Sequence, residues 1–294
     1  MSFSDMKQRS KTNLASLIKE TEKISNPKTG FSDSDDRYWR PELDKSGNGY
    51  AIVRFLPAPE GEDLPWARIW NHGFQGPGGW YIENSLTTLG QKDPVSEHNS
   101  TLWNSGIEAN KEVARKQKRR LNYTANVYIL KDPAHPENEG TIKLYRFGKK
   151  IFDKINDLMN PEFEDESPVN PFDLWAGANF KMKIRKVEGY SNYDKSEFEA
   201  SSALLEDDDK MEEIWKSENS LKELVSEDKF KSFDELQTKL NRVLGLGGEI
   251  SSPKTVDVPF DGGQPYTAPP KPAAESTSDG DESMDYFQKL AQEA

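Results

Sequence analysis

The chain has 294 residues, with 39 Lys and Arg against 51 Asp and Glu and no cysteine. That length allows a real core in one or two domains, but 34% hydrophobic and 31% charged residues imply that part of it does not pack. Disulfides and thiolate metal sites are excluded, no apolar run is long enough to span a membrane, and MSFSDMKQRSKTNLASL lacks a secretory core, so a cytoplasmic protein with no membrane partner is expected.

In chain order, residues 1–24 read as a basic arm running into a short helix, with Leu14, Leu17 and Ile18 on one face. Residues 25–48 read as a linker. "GYAIVRFLP" is an alternating strand stopped by Pro57, and "WARIW" and "GWYIEN" are hairpin arms around the glycine-rich "HGFQGPGG". Residues 107–120 are helical and charged. "YTANVYIL" and "TIKLYRFG" are strands on either side of the loop "KDPAHPENEG". "KKIFDKINDLM" is a helix. "NFKMKIRKVEGY" is a strand with Phe180, Met182 and Ile184 on one face and Lys181, Lys183 and Arg185 on the other. An acidic helical stretch covers 204–225. "SFDELQTKLNRVLG" opens with Ser232 and Glu235 at capping-box spacing and closes on Gly245. Beyond about Gly247 too few apolar residues remain to offset the entropy of ordering, so a disordered tail is expected. Within it Met284, Phe287 and Leu290 form an apolar stripe suited to a partner. The expected class is mainly β with helical additions, of which a five-stranded oligonucleotide-binding (OB) barrel is one architecture.

The charge is uneven. Residues 201–294 hold 10 bases and 21 acids, while residues 101–150 hold 11 bases and 5 acids. A basic middle and an acidic end point to a polyanionic partner and a tail that mimics one. Cations interleave with aromatics three times. Arg115, Lys116, Lys118, Arg119 and Arg120 precede Tyr123; Arg146, Lys149 and Lys150 surround Tyr145 and Phe147; Lys181, Lys183 and Arg185 precede Tyr190 and Tyr193. Single-stranded nucleic acid needs both types, cations for phosphates and flat faces for unpaired bases. One such cluster reads as a solvated strand face; three in a nearly neutral region read as a binding groove, to which Arg54 is added. The acidic runs at 162–166 and 206–209 could hold a hard cation but read as solvated charge. No P-loop, EF-hand, nucleophile elbow or zinc-protease motif is present, and no cofactor is expected.

The segments "GNGYAIVRFLP", "NHGF…GGWYIE", "YTANVYILKDPAHPENEG", "YRFGKKIFDKIN", "WAGANFKMKI", "GYSNYDKSEF" and "DKFKSFDELQTK" resemble the single-stranded-DNA-binding, helix-destabilising proteins of T-even-type bacteriophages. The resemblance runs from roughly residue 47 to 240. It implies an OB-fold core over 25–246 with a subdomain at about 72–120. It also implies an arm over 1–24 that self-associates cooperatively through Lys7, Arg9 and Lys11, and a partner-binding tail over 247–294. The core would hold DNA through the cations above with Tyr123, Tyr145, Tyr190, Tyr193 and Trp103. The tail would recruit the phage polymerase, helicase loader and recombination mediator in the cytoplasm of the infected bacterial host. An RNA-binding translational regulator and, behind it, a metal-dependent nuclease are the alternatives.

The best-known member of that family carries a structural zinc on one His and three Cys. Here His72 matches the histidine, but the cysteine positions fall near Ser85, Val95 and His98. Two histidines with a serine and a valine make no tetrahedral site. The expectation is therefore a metal-free region 72–105 held by packing, with Trp70, Trp80, Leu102 and Trp103 as candidates.

Overall fold

The computed structural model describes residues 35–163 and 165–246. The arm residues Lys7, Arg9 and Lys11 and the tail residues Met284, Phe287 and Leu290 lie outside the described residues.

The strands are β1 (Tyr38–Trp39), β2 (Gly49–Phe55), β3 (Ala67–Gly76), β4 (Gly79–Asn84), β5 (Arg120–Lys131), β6 (Ile142–Phe147), β7 (Asn179–Val187), β8 (Tyr190–Asn192) and β9 (Glu197–Phe198). The helices are α1 (Pro94–Asn104), α2 (Glu108–Gln117), α3 (Lys149–Met159), α4 (Asp208–Lys216) and α5 (Phe233–Leu244). The chain is thus α+β, mostly a sheet with several helices. The strand order β1-β6-β5-β2-β7-β8, with β3 also on β5, is an open path and not a closed barrel. Every pairing is antiparallel except β1 on β6, which places a strand inside the expected linker 25–48.

Strand β5 organises the molecule. Its first half pairs with β3, from Asn71 opposite Arg120 to Ala67 opposite Thr124; its second half pairs with β2, and β6 runs along its other edge. Residues directly opposite share a face. Tyr123, Ala125, Val127 and Ile129 therefore align with Phe147, Tyr145, Phe55 and Val53 in one core, against Ile151 and Ile155 of α3. The other face is also covered. Leu144, Ala67 and Ile69 pack against Leu221 and Leu224, and Asn126 exchanges hydrogen bonds with the Asn219 backbone at 2.8 and 3.0 Å.

The glycine-rich "HGFQGPGG", expected as a loop, is mostly strand: β3 runs to Gly76 and the turn is only Pro77–Gly78. Helix α5 explains this. Its Leu236, Leu240 and Val243 pack on Phe74, Tyr81, Leu86 and Val95. The Gly78 N–H donates to the Val243 carbonyl at 2.8 Å. A Cβ on Gly78 would lie 2.0 Å from the Arg242 oxygen, so only glycine permits this approach.

Candidate nucleic-acid interface

Helix α2 ends at Gln117, and Lys118 turns the chain through an extended conformation (φ −55°, ψ 146°) into β5. The basic run thus straddles a helix end and a strand start, and the sheet register gathers further cations at that end. Arg68, exposed on β3, lies opposite Tyr123 and shares its face; Arg146 of β6 lies opposite Thr124, on the other face of the sheet. Phe147 pairs with Tyr123, so the chain entering α3 at Lys149 and Lys150 passes the same end of β5. Lys116, Arg120 and Lys150 are exposed. Two of the guanidiniums at this end of β5 are seated on aromatic faces. Arg119 lies 4.4 Å from the Trp70 ring centre, and Arg146 lies 5.7 Å from that of Tyr38. Such seating orients a cation while leaving it charged, which suits phosphate contact. Arg115 belongs to α2 itself, bridging Glu108 and Glu112 and lying over Trp103. Trp103 is thus a platform for its own helix pair.

Other expected site residues are placed differently. Arg54 is fully buried. It donates to Asn179 Oδ1 at 2.9 Å and to the Asp173 and Ser202 carbonyls at 3.1 Å, so it is a core cross-link, not a phosphate contact. Burial lowers its pKa, against the opposing charges of Asp173 and Glu199. Tyr145 is 3% exposed, inside the core. Burial holds its phenol well above the ordinary tyrosine value, and Tyr193, half-buried beside it, adds to this. Tyr123 is 8% exposed, with Phe152 stacked on it at 4.0 Å and Phe147 at 5.7 Å. Its ring is spent on packing because it is in phase with the inward residues of β5. Tyr190, 80% exposed on β8, keeps a free face.

The β7 stripe is neutralised. Lys181 pairs with Glu199 at 2.9 Å, Lys183 with Glu197 at 2.8 Å, and Arg185 with Asp194. Alternation placed these cations on one face but could not show acids from β9 and the residues flanking it covering them. Lys149 similarly pairs with Asp153 at 2.9 Å. Missed in the sequence were Arg68 as part of the cation cluster and Trp70 as a platform. The signal was present, since the two alternate in "WARIW".

The family model described as "gp32 DNA binding protein like" matches residues 47–244. This chain belongs to that family. It is 43% identical over 81% of each chain to the proteins named "Single-stranded DNA-binding protein" of Enterobacteria phage T2 and of Enterobacteria phage T4. A shorter relative of the same name from Escherichia phage SV14 is 43% identical over 29% of this chain and 76% of its own.

The zinc implied by the resemblance to the phage proteins does not fit this gp32-like chain. His72 is fully buried on β3, but its Nε2 faces Asp93 Oδ1 at 3.2 Å. That carboxylate already accepts from Val95 N (3.1 Å), Ser96 N (3.0 Å), Leu86 N (3.1 Å) and the Ser85 hydroxyl (2.9 Å). A carboxylate only accepts, and these protein donors hold it in place. Val95 brings no ligand atom, and among the described residues no group of three or more His, Cys, Asp or Glu could hold a metal ion. The packing expectation for 72–105 is correct only in part. Leu102 and Trp103 pack on Ala114, but Trp80 is 56% exposed. Phe74, Tyr81, Leu86 and Val95 pack under α5, and hydrogen bonds to Asp93 add to that packing. Burial opposes the Asp93 charge, yet bonding to His72, then to Ser96 and Ser85, holds its carboxyl below the ordinary value.

Proposed function

We propose that this chain is a non-catalytic coat for single-stranded DNA, binding cooperatively and largely without regard to sequence. It protects the strand, removes its secondary structure and presents it to replication, recombination and repair proteins in the infected bacterial cytoplasm. The observation that carries the reading is the match, over four fifths of both chains, to phage proteins named for single-stranded-DNA binding. Local chemistry supports it. The cations at the start of β5 would follow the phosphates, with Trp70 orienting Arg119 and Tyr190 offering a face to a base.

The sheet is read here as a relative of the OB barrel. Strands β2, β5 and β6 are joined edge to edge, α3 follows β6, and β7 returns to pair with β2. Lys7, Arg9 and Lys11 would mediate neighbour contacts on DNA, and the acidic tail with Met284, Phe287 and Leu290 would recruit the polymerase, helicase loader and recombination mediator. Titration of poly-dT into the full chain, followed by tryptophan fluorescence, tests the reading. Saturable quenching that RNA of equal length competes for poorly supports it. Preferential RNA binding would make the chain an RNA regulator, and cleavage with magnesium or manganese would make it a nuclease.

A further inference from the structure

The buried Asp93 lies at a junction of three segments. It caps α1 through Val95 and Ser96, holds the 3-10 turn Leu86–Leu89 through Ser85 and Leu86, and faces His72 in β3. Two routes lead from this junction to the basic run. In the first, His72 Nδ1 is 2.9 Å from the Gln117 carbonyl. A carbonyl oxygen only accepts, so Nδ1 donates to it and the ring grips the last residue before Lys118; Nε2 attracts the Asp93 carboxylate only when it carries a hydrogen as well. In the second, the Ser85 N–H donates to the Trp70 carbonyl at 2.8 Å, while Thr88 Oγ1 accepts from the Trp70 N–H at 2.9 Å. This sets the strand position of the indole beneath Arg119. Both routes are buried or half-buried and converge on Arg119 from its backbone side and from its guanidinium side.

We propose that Asp93 and His72 form a metal-free clasp that replaces a structural zinc and acts as a positioning device for the phosphate-binding run Lys118–Arg120. The clasp rests, for its role, on the DNA-binding reading above. Neither residue touches DNA. Asp93 fixes the 3-10 turn and α1 against β3, His72 fixes the end of α2, and Lys118, Arg119 and Arg120 are thereby presented as one preformed row. Preorganisation of this kind lets cations meet phosphates without first being ordered.

The test uses the full chain in three forms: wild type, Asp93→Asn and Ser85→Ala. Asp93→Asn turns acceptors into donors facing the Leu86 N–H and the Ser85 hydroxyl. Ser85→Ala removes a single donor and decides the matter if the first variant does not fold. Elemental analysis of the wild type should find far less than one zinc per chain, and a chelator should leave Tm unchanged. Amide exchange at residues 85–96 and 117–120 should rise by about tenfold or more in the variants, while β6 stays protected. The salt slope for poly-dT should flatten toward that of Lys118→Ala/Arg119→Ala/Arg120→Ala. One tightly held zinc per chain with chelator-sensitive Tm overturns the clasp, as does unchanged exchange at 117–120 in both variants. If exchange rises but neither the clasp variants nor the triple variant changes the salt slope, the clasp stands and the DNA role of the run falls.

Discussion

Arg119 is seated on Trp70, its guanidinium carbon 4.4 Å from the ring centre. Trp70 belongs to β3, opposite Leu121 of β5, and Arg119 lies in the link just before β5. The contact holds the arginine at the strand edge, and a ring face by itself removes no charge. Lysine at this position would keep the charge but lose planar stacking, worth about 0.5–1 kcal/mol at an exposed site. Arg119→Lys should therefore keep the salt slope of DNA binding while weakening affinity a few-fold, and Trp70→Leu should do the same. Arg119→Ala should flatten the slope by about 0.7, one phosphate contact on a single strand. Equal slopes for Arg119→Ala and wild type would place this arginine outside the DNA path.

The β7 cations give the opposite expectation. Lys183 is held by Glu197, whose carboxyl sits below its ordinary value through the bond to Lys183. A lysine already matched by a carboxylate releases few counterions on meeting DNA. Lys183→Ala should change the salt slope by much less than about 0.7. Glu197→Gln should tighten binding at low salt, with the gain shrinking as salt rises. A full contact's loss of slope in Lys183→Ala would mean that the ion pair opens on DNA.

The tyrosines separate by burial. Tyr145→Ala should cost about 3–5 kcal/mol of stability, because it empties part of the main core. Tyr190→Ala should leave Tm unchanged and cost about 1–3 kcal/mol of binding. Paired measurement of melting and poly-dT affinity distinguishes the two roles, and a stable Tyr145→Ala protein with weakened binding would reverse the assignment.

Glu218 supplies a pH dependence. Burial pushes its carboxyl from 4.5 up to about 8; hydrogen bonding to Asn126 pulls it down and the charge of Glu62 pushes it further up. Between these values the unfolded chain binds fewer protons than the folded one, so stability falls as pH rises from about 4.5 to about 8. Glu218→Gln should remove that fall, raising Tm at alkaline pH relative to wild type. Thermal melts of both proteins across this range check the slope. A parallel decline in the two would assign the loss to other groups.

Much of the scaffold was legible because its signals are local. Helix α3 occupies Lys149–Met159 as its periodicity predicts, and α5 carries the Ser232–Glu235 capping box and the left-handed Gly245 read from spacing alone. Asp93–Pro94 is a cap followed by proline at the first helical position, a local signal for α1. What local reading could not reach was coverage. Alternation put Lys183 outward, but Glu197 covers it; it put Tyr145 among cations, but β5 and β6 are buried on both faces. The hairpin arms were legible, but the end of β3 looked like a glycine loop because the helix that orders it lies some 160 residues downstream. The cation cluster at the start of β5 needed the β3 register before Arg68 and Trp70 could join it.

The most direct measurement is the salt dependence of poly-dT binding by the full chain and by its Lys118→Ala/Arg119→Ala/Arg120→Ala variant. If about six phosphates are neutralised, the wild-type slope should be roughly −4, and loss of three contacts should flatten it by roughly 2. The loss should be similar for other base compositions, because phosphate contacts carry no sequence. A variant that binds poly-dT with the wild-type slope and affinity would contradict the assignment of this end of β5 to single-stranded DNA.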